Sequence, residues 1–440
     1  MIYHDIIELA REIMVEMGLA IQGAPPEENM PGRGRGSSVA MLVGYLIGLS
    51  HIDPLQYNLT LERFLPEDMS SVPDIDLDFP RNIREELIKR VHQRWGWEHA
   101  VLTGMIDTYQ TKGAVRDLGK ALGLPLVEVD RLADSTGTMH HNCTGTMHRA
   151  PTALESEMAH LPGFKDKVGA PVWTDLIKLA KELDGFPKYL AQHPGGMVIS
   201  STPITEMVPV QRGAIDGRYI CQWDKDSIDD AGFVKIDFLA LGALSQLQEA
   251  LQLVHQRTGK SVDISRINFD DPAVYDMLCN ADTIGIFQVE SAAQIQTIPR
   301  LRPRNLVDMA HEVGAVRPGV GVNRGVSKYL ARRQGKEPIT YDHPLEKRAL
   351  ERTLGVILFQ DQVNQVAIDV AGFSGGEADQ LRRAFGRRHN QTLLQTYWQK
   401  FLKGALARGV DETAARTIFD KFNGQYMFPE SHAFAFGVTA

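Results

Sequence analysis

Apolar residues recur at helical spacing over residues 4–19, where Ile6, Ile7, Leu9, Ala10, Ile13, Met14 and Met17 form one stripe. A Pro/Gly-rich stretch, QGAPPEENMPGRGRGSS, follows and reads as a loop. SVAMLVGYLIGL then predicts a second apolar helix. Residues 73–79, PDIDLDF, alternate strictly between polar and apolar and predict a strand. NIREELIKRVHQRW (82–95) predicts an amphipathic helix, and VLTGMI (101–106) a short strand. Residues 107–190 read as mostly helical around a loop-rich middle, where TGTMH occurs at 136–140 and again at 144–148. GGMVISS (195–201) and GFVKIDFL (232–239) predict strands, and 243–257 a helix. Beyond residue 262 short elements alternate with basic loops, and the last 80 residues are mainly helical. The class is α+β, mixed, with the strands in the first half.

Composition narrows this picture modestly. The 440 residues, 43% hydrophobic, are enough for about two to four domains. No run approaches the roughly 20 apolar residues of a membrane span. The amino-terminal segment carries Asp5, Glu8 and Glu12, where a secretion signal has a basic start and an unbroken apolar run. A cytoplasmic location is the expectation. Cys143, Cys221 and Cys279 are far apart and odd in number, so no disulfide framework is expected. The net charge of −8 argues against a simple nonspecific nucleic-acid binder, unless basic residues are segregated from a carboxylate-rich site.

Such a site is visible in the alternating segment. Side chains on a strand alternate faces, so Asp74, Asp76 and Asp78 share one face while Ile75, Leu77 and Phe79 cover the other. Three carboxylates held this way repel one another unless a cation lies between them, and Mg²⁺ prefers such hard oxygen ligands. A solvated acidic edge strand has the same pattern. Against that reading stand the wholly apolar opposite face and a second alternating segment, Lys235-Ile236-Asp237-Phe238. Placed side by side, the two strands bring together the carboxylates of a two-metal phosphoryl-transfer site.

Gly34-Arg35-Gly36-Ser37-Ser38 leads into the second apolar helix. Glycines permit close backbone approach, a helix start attracts anions, and Arg35 adds a planar fork for phosphate. No Gly-Lys-Ser/Thr follows, so this is not a Walker A loop, and an ordinary helix-capping loop would look the same.

Taken in order, GRGSS, Leu61-Glu62-Arg63-Phe64-Leu65 and PDIDLDF resemble the C-family DNA polymerases, the alpha subunits of bacterial DNA polymerase III and their error-prone relatives. The resemblance continues through Ala114-Val115-Arg116-Asp117-Leu118-Gly119-Lys120, His193-Pro194-Gly195-Gly196, Gln222-Trp223-Asp224-Lys225-Asp226 and KIDFL. It extends to Phe287-Gln288-Val289-Glu290-Ser291, Arg317-Pro318-Gly319, Phe359-Gln360-Asp361-Gln362, Leu381-Arg382-Arg383-Ala384 and Phe428-Pro429-Glu430-Ser431-His432-Ala433. The Gln-Trp-Asp-Lys-Asp and Phe-Pro-Glu-Ser-His runs are similar to the error-prone branch.

The resemblance implies a palm like that of the polymerase-beta nucleotidyltransferases at 1–105 and 191–245, a thumb at 106–190 and fingers at 246–440. It implies Asp74, Asp76 and Asp237 as the catalytic, metal-holding triad for two Mg²⁺ ions, with Asp78 behind them. It implies contacts to the incoming nucleotide from Gly34, Arg35, Gly36, Ser37, Arg382 and Arg383. Lys225 and Lys235 are plausible charge partners near the site, although strand-edge solvation is their plain alternative. Primer–template DNA and dNTP are the implied partners, with a sliding clamp and repair proteins reached through regions outside this sequence. Basic residues at Lys112 and Arg116, at Arg300, Arg302 and Arg304, at Arg332 and Arg333, and at Arg387 and Arg388 would supply the surface for DNA phosphates, if they face one cleft.

There are departures. Met41 stands where the family has a small polar residue, Glu67-Asp68-Met69 replaces a Pro-Glu-Arg, and Ala24–Pro31 reads as an insertion. No PHP domain, helix-hairpin-helix region or OB-fold is in the sequence, so a truncated gene product is expected. His140, His141, Cys143 and His148 include zinc-ligand types, but their spacing matches no standard site. His193 reads as a hydrogen-bonding core histidine. The expected function is template-directed DNA synthesis of the translesion type. The alternatives are a replicative alpha-subunit fragment and an inactive DNA- or partner-binding remnant.

Overall fold

The computed structural model describes residues 2–20, 33–59, 75–138, 152–262, 264, 267–316, 324–386, 391–422 and 428–440. The fold is mixed: one seven-stranded sheet, with helices making up most of the remainder. In chain order the strands are β1 (Arg33–Gly36), β2 (Ile75–Pro80), β3 (Ala100–Thr108), β4 (Pro187–Ile199), β5 (Val210–Arg212), β6 (Tyr219–Cys221) and β7 (Lys235–Leu241). They are arranged β1-β2-β7-β4-β3-β6-β5. β1 runs antiparallel to β2, and β2 runs parallel to β7, although about 155 residues separate those two in sequence.

One face of the sheet is dry. Ile75, Leu77 and Phe79 of β2 and Ile236 and Phe238 of β7 are all buried, and the rings of Phe79 and Phe238 meet edge to face at 5.8 Å. Helix Ile2–Glu16 supplies Ile6, Ile7, Ala10, Ile13 and Met14 to this core, and helix Arg84–Trp95 supplies Leu87, Ile88 and Val91. Met17 falls past the helix end and is exposed. The opposite face carries the alternate residues Asp76 and Asp78 of β2 and Lys235 and Asp237 of β7.

Three sequence expectations change here. SVAMLVGYLIGL is not one helix. It divides into Ser37–Ala40 and Leu42–Leu46, with Met41 in extended geometry between them. The two turns fold back so closely that a β-carbon on Gly44 would lie 2.1 Å from the Ser38 carbonyl oxygen, which a straight helix does not permit. The glycine-rich segment before it is also not a free loop: Arg33–Gly36 pairs with β2 as an edge strand. Similarly, β4 does not begin at Gly195. It starts at Pro187, and His193-Pro194-Gly195-Gly196 forms an irregularity inside it, between the Leu102–Met197 and Gly104–Gln192 pairs.

Helices Thr111–Ala121, Leu126–Thr138, Thr152–His160 and Pro171–Leu183 follow β3 and surround a core containing Val115, Leu132, Phe164, Trp173 and Leu176. After β7 the described residues are mainly helical. Val39 and Ile52, from the segment after β1, share a core with Leu306, Tyr329, Phe359 and Phe434, so the last helix is seated against the edge of the sheet. Among the described residues no helix is long and apolar enough to cross a membrane.

Candidate active site

Asp76 and Asp237 are register partners on adjacent parallel strands, which places their backbones at the usual interstrand spacing of about 4.8 Å. Both side chains lie on the face away from the apolar core. Arg35, register partner of Asp76 on β1, reaches across to it (Nε to Oδ2, 3.6 Å) and to Asp78 (Nη1 to Oδ1, 3.6 Å). Burial by itself would raise the Asp76 carboxyl. A hydrogen bond from His432 and the charges of Arg35 and Lys235 outweigh it and hold that group below the usual carboxylate range. Asp78 has less help: burial pushes it up to about 6 against the pull of Arg35.

Asp237 is gripped from one side only. Lys235, two residues earlier on β7, is buried and donates to Asp237 Oδ2 at 2.9 Å. Asp237 Oδ1 is buried without a hydrogen bond among the described residues, and His193 Nδ1 lies 3.8 Å from it. That nitrogen already accepts the backbone N–H groups of Gly195 (3.2 Å) and Gly196 (2.6 Å). An orphaned carboxylate oxygen, all-oxygen donors and Asp76 beside it suit a hard divalent cation such as Mg²⁺. Among the described residues no three potential ligands converge, and Asp74 lies outside them.

The chain's family follows from comparison with known proteins. A family model described as the bacterial DNA polymerase III alpha NTPase domain matches residues 13–240, and one described as the finger domain of that subunit matches residues 243–409. The chain belongs to the bacterial DNA polymerase III alpha family. Among its relatives, the error-prone DNA polymerase of Pseudomonas aeruginosa is 43% identical over 410 residues, 92% of this chain and 38% of that one. That of Pseudomonas fluorescens is 40% identical over 437 residues, 99% and 40% of the two chains. That of Dechloromonas aromatica is 41% identical over 412 residues, 92% and 39%. The chain therefore spans about two-fifths of the length of these relatives.

The other predicted residues of this polymerase III alpha chain are placed unevenly. The glycine segment folds tightly onto itself: Gly34 N–H donates to Leu49 O (2.6 Å), and a β-carbon on Gly34 would sit 2.2 Å from Ser38 Oγ. Ser37 is buried, and Ser38 Oγ donates to Arg35 O. Lys225 opens a short helix, Lys225–Asp230. Arg382 donates to Asp379 and to Gln360 Oε1, and Arg383 to Asp379 Oδ2, so one carboxylate orients both guanidinium groups.

Arg116 and Lys112 brace two helices. Arg116 contacts Asp130 (3.0 Å) and Asp134 (2.9 Å), and Lys112 contacts Asp134 (2.8 Å). Arg300, Arg302 and Arg304 are exposed on one turn, with Arg302 in left-handed backbone geometry (φ 55°). Arg332 and Arg333 differ from the expected basic surface. Arg332 is buried and donates to Leu354 O and Thr340 Oγ1, while Arg333 holds Asp308 by two bonds of 2.8 and 2.6 Å. Arg387, Arg388 and the His140, His141, Cys143, His148 group lie outside the described residues.

One contact was missed in the sequence. His432 Nε2 lies 3.5 Å from Asp76 Oδ2, and a β-carbon on Gly36 (φ 67°) would come within 2.8 Å of the His432 ring. The helix carrying it, Glu430–Thr439, is anchored where Glu430 N–H donates to Asp361 Oδ2 (2.8 Å), while Gln360 N–H donates to Phe428 O (3.0 Å). Buried Glu430 also pairs with Arg352. The Phe-Pro-Glu-Ser-His run is legible as a motif. Nothing in its spacing said that it returns to β2.

Proposed function

We propose that this chain carries the nucleotidyl-transfer centre of an error-prone, template-directed DNA polymerase acting in damage-tolerant synthesis. The observation that carries the reading is the parallel register of Asp76 with Asp237, with the second oxygen of Asp237 without a hydrogen bond among the described residues. Asp74, two positions before Asp76, would complete an oxygen-ligand set for two Mg²⁺ ions. The ions would lower the pKa of the attacking primer hydroxyl and neutralise charge on the phosphates.

The protein's own part is positioning and electrostatics. β2 and β7 hold the carboxylates rigidly because their other face is buried. Lys235 occupies one oxygen of Asp237 and so orients the other. Arg35, with Gly34, Gly36 and Ser37 beside it, would meet the triphosphate, and Arg382 and Arg383 would meet it from the helical half. In the architecture this reading implies, the sheet is a polymerase-beta-like palm (1–105 and 191–245), 106–190 is the thumb and 246–440 the fingers. Lys112, Arg116, Arg300, Arg302, Arg304, Arg387 and Arg388 would meet primer–template phosphates. Processivity factors would be reached through parts of the relatives that this chain does not span.

The test is primer extension by the purified chain on a primed template with Mg²⁺ and dNTP. Incorporation that disappears in Asp76→Ala and Asp237→Asn while DNA binding persists supports the reading. Retained DNA binding with no extension by the parent chain would refute it. Strong discrimination against mismatched primer ends would refute the error-prone part alone.

A further inference from the structure

The His193-Pro194-Gly195-Gly196 segment has no role in the reading above, yet it touches the site more closely than a core histidine would. β4 pairs with β7 through Val198–Lys235, Met197–Ile236 and Gly196–Asp237. Before Gly196 it leaves β7 and follows β3, where Gln192 faces Gly104. Four residues, 193–196, therefore take up the space opposite a single step of β3. The β4–β7 ladder ends at the Gly196–Asp237 pair, so the irregular segment begins beside Asp237.

His193 holds that segment in shape. Its Nδ1 accepts two successive backbone N–H groups, those of Gly195 and Gly196, while the same nitrogen lies 3.8 Å from Asp237 Oδ1. With both N–H groups aimed at it, Nδ1 carries a lone pair, and the neutral ring bears its proton on Nε2. Both N–H groups donate to the ring, and neither donates to the carboxylate of Asp237. The approach depends on the glycines. A β-carbon on Gly196 would lie 2.4 Å from Thr103 Oγ1, 2.8 Å from His193 Nδ1 and 3.2 Å from Asp237 Oδ1, and one on Gly195 would lie 2.9 Å from Phe238 O.

We propose that His193 is a positioning residue: its Nδ1 draws the Gly195 and Gly196 amides away from Asp237 and so keeps Asp237 Oδ1 open for a divalent cation. The inference rests on the proposed metal-dependent reading of the carboxylates. It assigns His193 neither a bond to the metal nor a proton transfer, because Nδ1 is already occupied by the two amides.

The two ring nitrogens can be separated by substitution. Asparagine places an acceptor oxygen close to the position of Nδ1, whereas glutamine places its amide near that of Nε2. His193→Asn, His193→Gln and His193→Ala are compared with the parent chain by Mn²⁺ binding, followed by the electron paramagnetic resonance of free Mn²⁺, and by primer extension over a Mg²⁺ series. The expected result is Mn²⁺ affinity within about 3-fold of parent for His193→Asn, and a loss of 10-fold or more for His193→Gln and His193→Ala. The half-saturating Mg²⁺ should rise in parallel, with the DNA dissociation constant unchanged. Equal Mn²⁺ affinity in the Asn and Gln variants would overturn the proposal, as would losses in all three that follow only their melting temperatures. If the parent chain binds Mn²⁺ but extends no primer, the polymerase reading fails while the order of Mn²⁺ affinities still decides the role of His193. If the parent chain binds no Mn²⁺, both fall.

Discussion

Lys235→Met tests the balance of charge at the carboxylates most directly. The Lys235 side chain is 1% exposed and its Nζ lies 2.9 Å from Asp237 Oδ2, on a carboxylate that is 13% exposed. Removing one partner of a buried pair strands the other charge, typically at about 3–5 kcal/mol. The residual exposure of Asp237 brings this case somewhat below that range, to about 2–3 kcal/mol. Since each kcal/mol moves the melting midpoint of a mid-sized domain by about 2–4 °C, the variant should melt roughly 4–12 °C lower in EDTA. With no ammonium competing for Oδ2, a divalent cation should bind the variant more tightly. Mg²⁺ at about ten times its dissociation constant contributes roughly 1.4 kcal/mol, so the ion should recover part of the loss and raise the variant's midpoint more than the parent's. The assay is thermal denaturation of parent, Lys235→Met, Asp237→Asn and the double variant, each with EDTA and with Mg²⁺. The double variant should be more stable than Lys235→Met, because no charge is stranded. A Lys235→Met midpoint within about 1 °C of parent in EDTA, or a double variant no better than the single one, would refute the reasoning.

Other outcomes follow from particular contacts. Glu312 is fully buried, neither carboxylate oxygen has a hydrogen bond among the described residues, and burial pushes its carboxyl up to about 8. An unfolded glutamate titrates near 4.3, so the folded chain keeps a proton that the unfolded chain has lost, and stability falls as pH rises between those values. Glu312→Gln should therefore be more stable than parent in urea at pH 8, with the difference closing toward pH 5; parallel curves would count against it. A β-carbon on Gly404 would lie 1.9 Å from the Ala371 carbonyl oxygen, between helices Gln391–Ala407 and Gln360–Ala371. Gly404→Ala should lower stability by about 1–3 kcal/mol despite alanine's better helix propensity, read from denaturant midpoints. Gly36→Ala combines a left-handed backbone (φ 67°) with a clash against His432, and should reduce incorporation at least about tenfold while leaving DNA affinity unchanged; normal turnover would show that the His432–Asp76 contact has no part in the reaction.

How much of the site was legible depended on how local its signal was. The alternation of β2 identified both its faces, because a period of two can be read from six residues, and Ile75, Leu77 and Phe79 are indeed buried. The glycine segment reads as a loop because four residues rich in glycine carry no alternation. Its strand state comes from β2, which offers Arg33–Gly36 a ladder. Arg332 and Arg333 looked like a basic surface because sequence shows charge but not partners. Asp308, Thr340 and the carbonyl of Leu354 claim them only in the folded helical half. His432 carried no period or spacing that pointed to Asp76, more than 350 residues away.

From the amino-acid order came the helices with apolar stripes, the acidic strand, the second alternating segment and the family, since each is written in residues close together in the chain. Folding decided which strands became neighbours: that β7 would add itself parallel to β2, that β4 would part from β7 at Gly196, and that the last helix would carry His432 back over β1. The physical reason is that periodicity tells which face of an element must be buried, whereas the choice of the element that buries it rests on packing summed over the whole core. Contacts that span 150 residues or more leave no local trace from which that sum can be read.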